Sequence, residues 1–313
     1  MNYAVIDLGS NTMRLSVYEH VDGRIQKTFS LKEVAGLAEY VSNNKMDIAG
    51  IRRACAVINE FKEMAYKFVD AANLHLFATA SIRNVKNRDD VVQVIEEETS
   101  LKPDVLKGNE EAALGFVGVS RFANCENGIM IDIGGASTEL VLFENYKPKE
   151  LVSLPIGCLN LSVAHVSRII PKAKEMKKIN EEIKKQFAKL EWSKGVNCPL
   201  MVGTGGTLRA VLKLSSAIYD LPPEQDEIQA RCVKEIIGLL SDRNSEIYHT
   251  VYKTTPERLM TISTGLAILQ QAIKKFGCET ISVSRFGIRE GYLMDRVLTA
   301  NDKNIDNESS GEA

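Results

Sequence analysis

One stretch of this chain occurs twice. Aligning VIDLGSNTMRLSVYE (5–19) with MIDIGGASTELVLFE (130–144) needs one offset of 125 residues and no gap. Asp7 falls on Asp132, Gly9 on Gly134, Ser10 on Gly135, Leu15 on Leu140 and Glu19 on Glu144. In each copy a short apolar run ends at an acid, breaks at small residues and resumes as a second strand. Two unrelated buried strands have no reason to share that acid, so the pattern reads as a duplication. Two copies of one strand–turn–strand device imply two similar lobes facing each other across a cleft.

Around these copies strands alternate with helices. Ile51, Ala54, Ile58, Phe61, Ala65 and Phe68 recur every three or four residues, which predicts a helix from Asp47 to about Val69 with one buried stripe. LHLFAT (74–79) reads as a strand, 89–98 as a helix, and another helix starts near Asn109 as its N-cap. The second half repeats the theme, with strands at 128–133, 138–144, 199–203 and 280–284 and a long helix over 172–190. The alternation places the chain in the α/β class. Lobe I is expected over residues 1–122 with a final helix at 287–300, and lobe II over 123–286. The polar end NDKNIDNESSGEA (301–313) is expected to be disordered.

Charge narrows the function. The 313 residues carry 39 Lys+Arg against 41 Asp+Glu, a net charge of −2. No general field holds nucleic acid or a membrane, so any polyanion must be held by a local cluster. There is no basic leader followed by an apolar stretch, and no run approaches the roughly 20 apolar residues of a membrane span. Six scattered cysteines without a CxxC pair read as reduced thiols, and the protein as cytoplasmic. The lysine-rich segment 172–190, with its stripe of Met176, Ile179, Ile183, Phe187 and Leu190, reads as a solvated face. A track for a polyanion is the alternative.

The small-residue turns carry the chemistry. Consecutive backbone N–H groups in such a turn form a nest for an anion. An acid beside the nest would repel phosphate unless a hard cation sits between them. Mg²⁺ suits that role, with Mn²⁺ as a substitute, because it takes one or two carboxylates plus water and phosphate oxygens. A third turn, in MVGTGGTLRAVLKL (201–214), leads from a strand into a helix N-terminus that adds positive partial charge. These turns point to metal-assisted phosphoryl chemistry. Leu208 stands where a dinucleotide fingerprint needs its third Gly, and no GxxxxGK[ST] occurs. The four His residues lack ligand spacing.

Seven segments in order then carry a resemblance: AVIDLGSNTMRL (4–15), FATASIRNVKN (77–87), GNEEAALGFVGV (108–119), IDIGGASTELV (131–141), LPIGCLNLS (154–162), VGTGGTLRAV (202–211) and VSRFGIREGYL (283–293). The chain resembles the exopolyphosphatase/guanosine pentaphosphate phosphohydrolase family, within the actin-like, ribonuclease-H-like ATPase superfamily. The resemblance implies two duplicated ribonuclease-H-like lobes around a central cleft, and hydrolysis of a terminal phosphoanhydride. Inorganic polyphosphate is the first-choice substrate and guanosine pentaphosphate the second.

Roles follow by position. Glu111 would orient or deprotonate the attacking water, with Glu110 as the neighbouring candidate and Arg83 as catalytic cation. Asp132 and Glu139 would bind metal, with Asp7 facing them from the other lobe. Ser10, Asn11, Arg14, Gly134, Gly135, Ser137, Thr204, Gly205 and Gly206 would contact phosphate. Arg289 also matches a family position, and either Arg14 or Arg289 could instead form an ion pair with Glu139 or Glu290. Ala136 departs from a common third Gly, and Arg285 from a residue that is often acidic or small. The short chain is expected to lack an extended channel, or to complete one as a homodimer. A non-catalytic regulator binding the same anions is the competing class, and an actin-like kinase a third.

Overall fold

The computed structural model describes residues 1–120, 125–242 and 245–299. The lobe boundary expected at 122 and the tail at 301–313 lie outside the described residues.

β1 (Asn2–Leu8) is apolar at almost every position, as a strand covered on both faces requires, and Tyr3 to Ile6 and Leu8 are buried. It turns through Gly9–Asn11 into antiparallel β2 (Thr12–Val21). Asp22 and Gly23, at φ 50° and 71°, then form a two-residue turn into β3 (Arg24–Val34). Asp–Gly suits that hairpin because both central residues need positive φ. A small hairpin, β4 (Val41–Ser42) and β5 (Lys45–Met46), leads into α1 (Ile48–Ala65). Asp47 caps α1 by accepting the Gly50 N–H at 2.8 Å. Then come β6 (Leu74–Ala78), α2 (Ala80–Arg83), α3 (Arg88–Thr99), β7 (Asp104–Val105) and α4 (Gly108–Ser120). The sheet runs β3-β2-β1-β6-β7, with the β1–β6 and β6–β7 pairs parallel.

The second half begins with β8 (Gly128–Ile133), β9 (Thr138–Glu144) and β10 (Lys147–Leu154). α5 (Cys158–His165), α6 (Ala173–Phe187), β11 (Leu200–Thr204) and α7 (Gly205–Tyr219) follow. β12 (Glu227–Gln229), α8 (Ala230–Ser241), α9 (Ser245–Thr254), α10 (Ile262–Phe276), β13 (Thr280–Val283) and α11 (Ile288–Tyr292) complete it. Its sheet runs β10-β9-β8-β11-β13-β12. Without the added edge strand β12, strand order and directions match those of the first sheet. Asp7 lies opposite Arg14 as Asp132 lies opposite Glu139, and Ile6 opposite Leu15 as Ile131 lies opposite Leu140. The sequence repeat is therefore a repeat of register.

The chain divides into two compact units, Met1–Glu111 with the segment from Leu293 onward, and Ala112–Tyr292. In the first, Ile51, Ala54, Ile58 and Phe61 of α1 pack on Ile6, Leu8 and Leu15. α1 ends at Ala65, short of the expected Val69, and Phe68 beyond it is 43% exposed and stacks on Phe29. In the second, Ile129, Ile131 and Ile133 face a core built on α6, α7 and α10. Met130, Val141 and Val202 face the other way, onto Ala112, Phe116 and Val119 of α4. The helix expected over 287–300 is interrupted: α11 spans only Ile288–Tyr292 before Leu293–Leu298 turns as a π-helix. Among the described residues no helix is long and apolar enough to cross a membrane.

α4 meets α11 backbone to backbone. A Cβ on Gly118 would lie 2.0 Å from the Gly287 carbonyl oxygen, and one on Gly291 would lie 1.8 Å from that of Leu114. Gly118→Ala should therefore cost about 1–3 kcal/mol through overpacking. Gly238→Ala, where an added Cβ meets nothing within 4 Å, should be neutral or stabilising by up to about 1 kcal/mol. Urea unfolding of both variants checks the contrast; equal effects would contradict it.

Candidate active site

The duplicated turns share one construction. A Cβ on Gly9 would lie 2.7 Å from the Thr12 carbonyl oxygen, and one on Gly134 would lie 3.2 Å from that of Ser137, the equivalent residue. Close approach of backbone, with no positive φ, is thus what keeps both glycines. In the first turn the Ser10 and Asn11 carbonyls accept from the Ala38 and Gly36 N–H groups, each at 2.9 Å. In the second, the Gly134 carbonyl accepts from Cys158 and the Gly135 carbonyl from Leu159 and Asn160. The donors are the first amides of α5, whose otherwise unpaired N–H groups suit the task. The Gly134 N–H closes the turn by donating to the Ser137 carbonyl at 2.9 Å, so an anion nest here would draw on the amides that follow it. Gly157 of LPIGCLNLS lies directly beneath: its Cβ would sit 2.4 Å from the Gly135 carbonyl. Ala136 keeps a φ outside the left-handed region, so the missing third glycine distorts nothing. Ser10 and Ser137 are buried within their turns.

In the first unit, β6 leads through Thr79 into α2, and Ser81 there donates to the Leu8 carbonyl at 2.7 Å, tying α2 to the end of β1. α2 delivers Arg83. Its guanidinium donates to Glu111 Oε2 at 2.5 Å and to the Leu106 carbonyl at 3.0 Å, with both charged side chains mostly buried. The two predicted catalytic residues are thus brought together. Glu110 is occupied elsewhere. Its Oε2 accepts the Lys107 N–H at 2.8 Å and its Oε1 pairs with Arg296 at 2.9 Å. The Lys107 hydrogen bond is the main cause that holds its carboxyl below the usual range; burial opposes it, and Arg296 adds to the lowering. Glu110 therefore closes the first turn of α4, in the manner of a capping box. The cap lies at Lys107, two residues before Asn109, because α4 already begins at Gly108. Asp7 sits opposite Arg14 on neighbouring strands, so both side chains share one sheet face.

In the second unit, Asp132 and Glu139 lie opposite each other at the ends of β8 and β9 and share a face. Ser153 of β10 donates to Glu139 Oε1 at 2.7 Å. Gly205, at φ 81°, starts α7, and a Cβ there would lie 2.0 Å from Asp132 Oδ1; conformation and space both demand glycine. A Cβ on Gly206 would lie 2.0 Å from the Arg258 guanidinium. Thr204 is fully buried and its hydroxyl donates to the Phe286 carbonyl at 2.6 Å, so its side chain anchors the segment entering α11. Arg289 is buried and Glu290 accepts the Gly287 N–H, whereas Arg285 is exposed.

Desolvation is the largest influence on Asp132 and raises its carboxyl pKa; Arg209, Arg289 and Arg258 act in the opposite direction. Arg209 is depressed first by burial and then by Arg289. This places three guanidinium groups around one carboxylate beside a helix N-terminus. Sequence reading missed Arg209 and Arg258. Arg209 stands inside the VGTGGTLRAV segment, one turn after the glycines, and was the one legible signal. Among the described residues no three His, Cys, Asp or Glu side chains gather into a metal centre. The pair Asp132 and Glu139 fits Mg²⁺ only as a partial shell, completed by water and phosphate oxygens. Anionic oxygens would also offset the three arginines.

A carboxyl raised by burial stabilises the fold only below its unfolded pKa, and that contribution is lost as pH rises through the folded pKa. Ionised Asp132 therefore costs stability at neutral pH. Asp132→Asn should keep or raise the unfolding temperature at neutral pH, with the difference narrowing as pH falls toward the carboxylate range. A fall of several degrees in thermal unfolding would instead make Asp132 a structural partner of its arginines.

Residues 16–300 match the Ppx/GppA phosphatase family. The guanosine-5'-triphosphate,3'-diphosphate pyrophosphatase of Vibrio cholerae is 27% identical over 97% of this chain, which spans 61% of that protein's length. Exopolyphosphatase 1 of Mycobacterium tuberculosis is 24% identical over 100% of this chain and 91% of its own. Among solved structures, the Aquifex aeolicus Ppx/GppA family member superposes with a TM-score of 0.77 at 26% identity, covering 96% of this chain and 99% of that one. An exopolyphosphatase from Cytophaga hutchinsonii shares the fold with a TM-score of 0.83 at 18% identity, covering 95% and 99%. The family match begins directly after the first of the seven motif segments and takes in the other six whole, and the chain belongs to the Ppx/GppA phosphatase family.

Proposed function

We propose that this protein hydrolyses terminal phosphoanhydride bonds, releasing orthophosphate from inorganic polyphosphate. The observation that carries the reading is Glu111 held by Arg83 at the start of α4, in a chain that also carries three phosphate-compatible turns. Phosphoryl transfer through a loose transition state asks the protein mainly to position the nucleophile and neutralise charge. Pairing with Arg83 fixes the direction of the Glu111 carboxylate, which accepts a hydrogen bond from water. The water oxygen forms a bond to the terminal phosphorus as the bridging P–O bond breaks. One water proton passes to Glu111 and then to solvent, and the shortened chain leaves as the anion. Within the second unit, Arg258 and the amides at Gly205 and Gly206 offer positive charge to phosphate oxygens.

Asp132 and Glu139 would hold Mg²⁺ or Mn²⁺, with Asp7 as the corresponding carboxylate of the first repeat. When bound, the cation supplies charge neutralisation at the bridging oxygens. Guanosine pentaphosphate is the second reading, favoured by the likeness to the Vibrio protein; the mycobacterial relative, matched over more of its own length, favours polyphosphate. Phosphate release from short polyphosphate, long polyphosphate, guanosine pentaphosphate and ATP, side by side, separates them. Polyphosphate should be fastest. Tight binding without release would make the protein a regulator, and ATP loss only with a small acceptor would make it a kinase.

Glu111→Gln should keep fold and substrate binding while losing about 10²- to 10⁴-fold in turnover, the usual contribution of a general base. Glu110→Gln should leave turnover within a few-fold and lower stability instead, because its carboxylate closes the helix. Steady-state rates beside thermal unfolding of both variants check this; the reverse pattern would exchange the two roles.

A further inference from the structure

Two cysteines far apart in the sequence meet at one end of the second sheet. β11 and β13 are parallel neighbours, with Leu200 opposite Thr280 and Met201 opposite Ile281. One dipeptide step back along each strand, which keeps the same side of the sheet, falls on Cys198 and Cys278. The ladder stops short of them because Pro199 has no N–H to donate. Other bonds hold the two segments together there. The Pro199 carbonyl accepts from Glu279 at 2.8 Å and from Thr280 at 3.0 Å, and the Cys198 N–H donates to the Phe276 carbonyl at 2.7 Å. α10 ends at Gly277 in the left-handed region, and the Cys278 N–H turns back to the Ile273 carbonyl at 3.1 Å. Asn197 closes over that turn: a Cβ on Gly277 would lie 2.0 Å from its Oδ1.

Both side chains belong to one apolar cluster. Cys278 is buried in the core with Phe276 and Ile281, and half-buried Cys198 packs against the same cluster. Burial is the main cause that pushes the Cys278 thiol up to about 12, and neighbouring Cys198 adds to it. Burial, then Glu144, raises Cys198 as well. Both are free thiols. Adjacent strands run about 4.8 Å apart, inside the Cα range of about 4.4–6.8 Å that a disulfide spans. The other four cysteines have different neighbours: Cys55 lies in the core of the first unit, Cys125 packs toward α4, Cys158 touches Thr207 and Cys232 lies beside Tyr219.

We propose that Cys198 and Cys278 are a redox-sensitive pair that closes to a disulfide under oxidising conditions and fastens β11 to β13. The oxidant is a small organic disulfide. Cys198, the more accessible of the two, attacks one sulfur of it as the thiolate and expels the other, which takes up a proton. Cys278 then gives its proton to solvent, attacks Cys198 Sγ and expels the second small thiol. The protein thiols lose two electrons and two protons, and the oxidant is reduced to two thiols. Enclosure and a high thiol pKa make Cys278 both a slow nucleophile and a slow leaving group, so the bond forms slowly and is slow to be reduced. The residues between the pair carry β11, α7, β12, α8, α9 and α10, and with them Gly205, Gly206, Arg209 and Arg258. Joining the two ends removes freedom from the unfolded chain and holds that segment to its sheet. β11 separates the pair from the turn at Gly205, so the bond leaves the turn in place.

The test is made on the full chain. Wild type is refolded from urea in a buffer of glutathione and glutathione disulfide, which lets any pair form without regard to access. A second sample is oxidised while folded, over a longer incubation. Peptides are then mapped by mass spectrometry without reduction. A Cys198–Cys278 crosslink should dominate in both samples. Thermal unfolding of the oxidised protein should rise by several degrees and fall back on adding dithiothreitol. C198A and C278A should each lose both the crosslink and the rise; should the buried change in C278A prevent folding, half-exposed C198A carries the control. No crosslink in refolded wild type, a different cysteine pair, or glutathione left on Cys198 with Cys278 free would overturn the pair. A crosslink without the rise, or the same rise in C198A, would overturn the fastening of the segment.

Discussion

A phosphate can approach a peptide N–H only where the neighbouring carbonyls point elsewhere. In the proposed reading, that condition organises both duplicated turns. At the end of β1 the carbonyls of Ser10 and Asn11 are held by Ala38 and Gly36; at the end of β8 those of Gly134 and Gly135 are held by the first amides of α5. Neither arrangement survives a side chain at Gly9 or Gly157, where backbone packs on backbone. The strands, their register and the following segments therefore have to be where they are for the turns to present amides. Duplication preserved the register, and each copy recruited a different donor segment to do the same work.

In the proposed mechanism, stability and chemistry are divided between adjacent residues of α4. Glu110 closes the first turn and pairs with Arg296, while Glu111 is directed by Arg83. Neighbours on a helix point about 100° apart, so one can serve the fold while the next serves the reaction. The end of β8 shows the opposite economy. Asp132 is enclosed at a cost that three arginines only partly offset.

Much of this architecture is legible in the order of the residues. The gapless repeat specifies the paired hairpins, because a slip of one residue would turn Asp132 and Glu139 to opposite faces. Alternating strands and helices specify the class. Glu111 is legible only through the GNEEA segment: two acids in a first helical turn look alike, and the contacts that tell them apart, with Lys107 and Arg296 for one and Arg83 for the other, are set by the folded chain. Arg258 is invisible for the same reason, since a lone arginine after a proline has no spacing to mark it. The early end of α1 and the π-turn after Tyr292 reflect tertiary packing that periodicity does not encode.

The claim that water, directed by Glu111, attacks the terminal phosphorus has one direct test. Polyphosphate is hydrolysed in ¹⁸O-labelled water under single-turnover conditions, and the products are separated for mass analysis. The label should enter the released orthophosphate, one atom per molecule, with none in the shortened chain, and Glu111→Gln should slow this same incorporation without moving it. Label in the chain end, or phosphate passed to an acceptor with no label incorporated, would contradict the account.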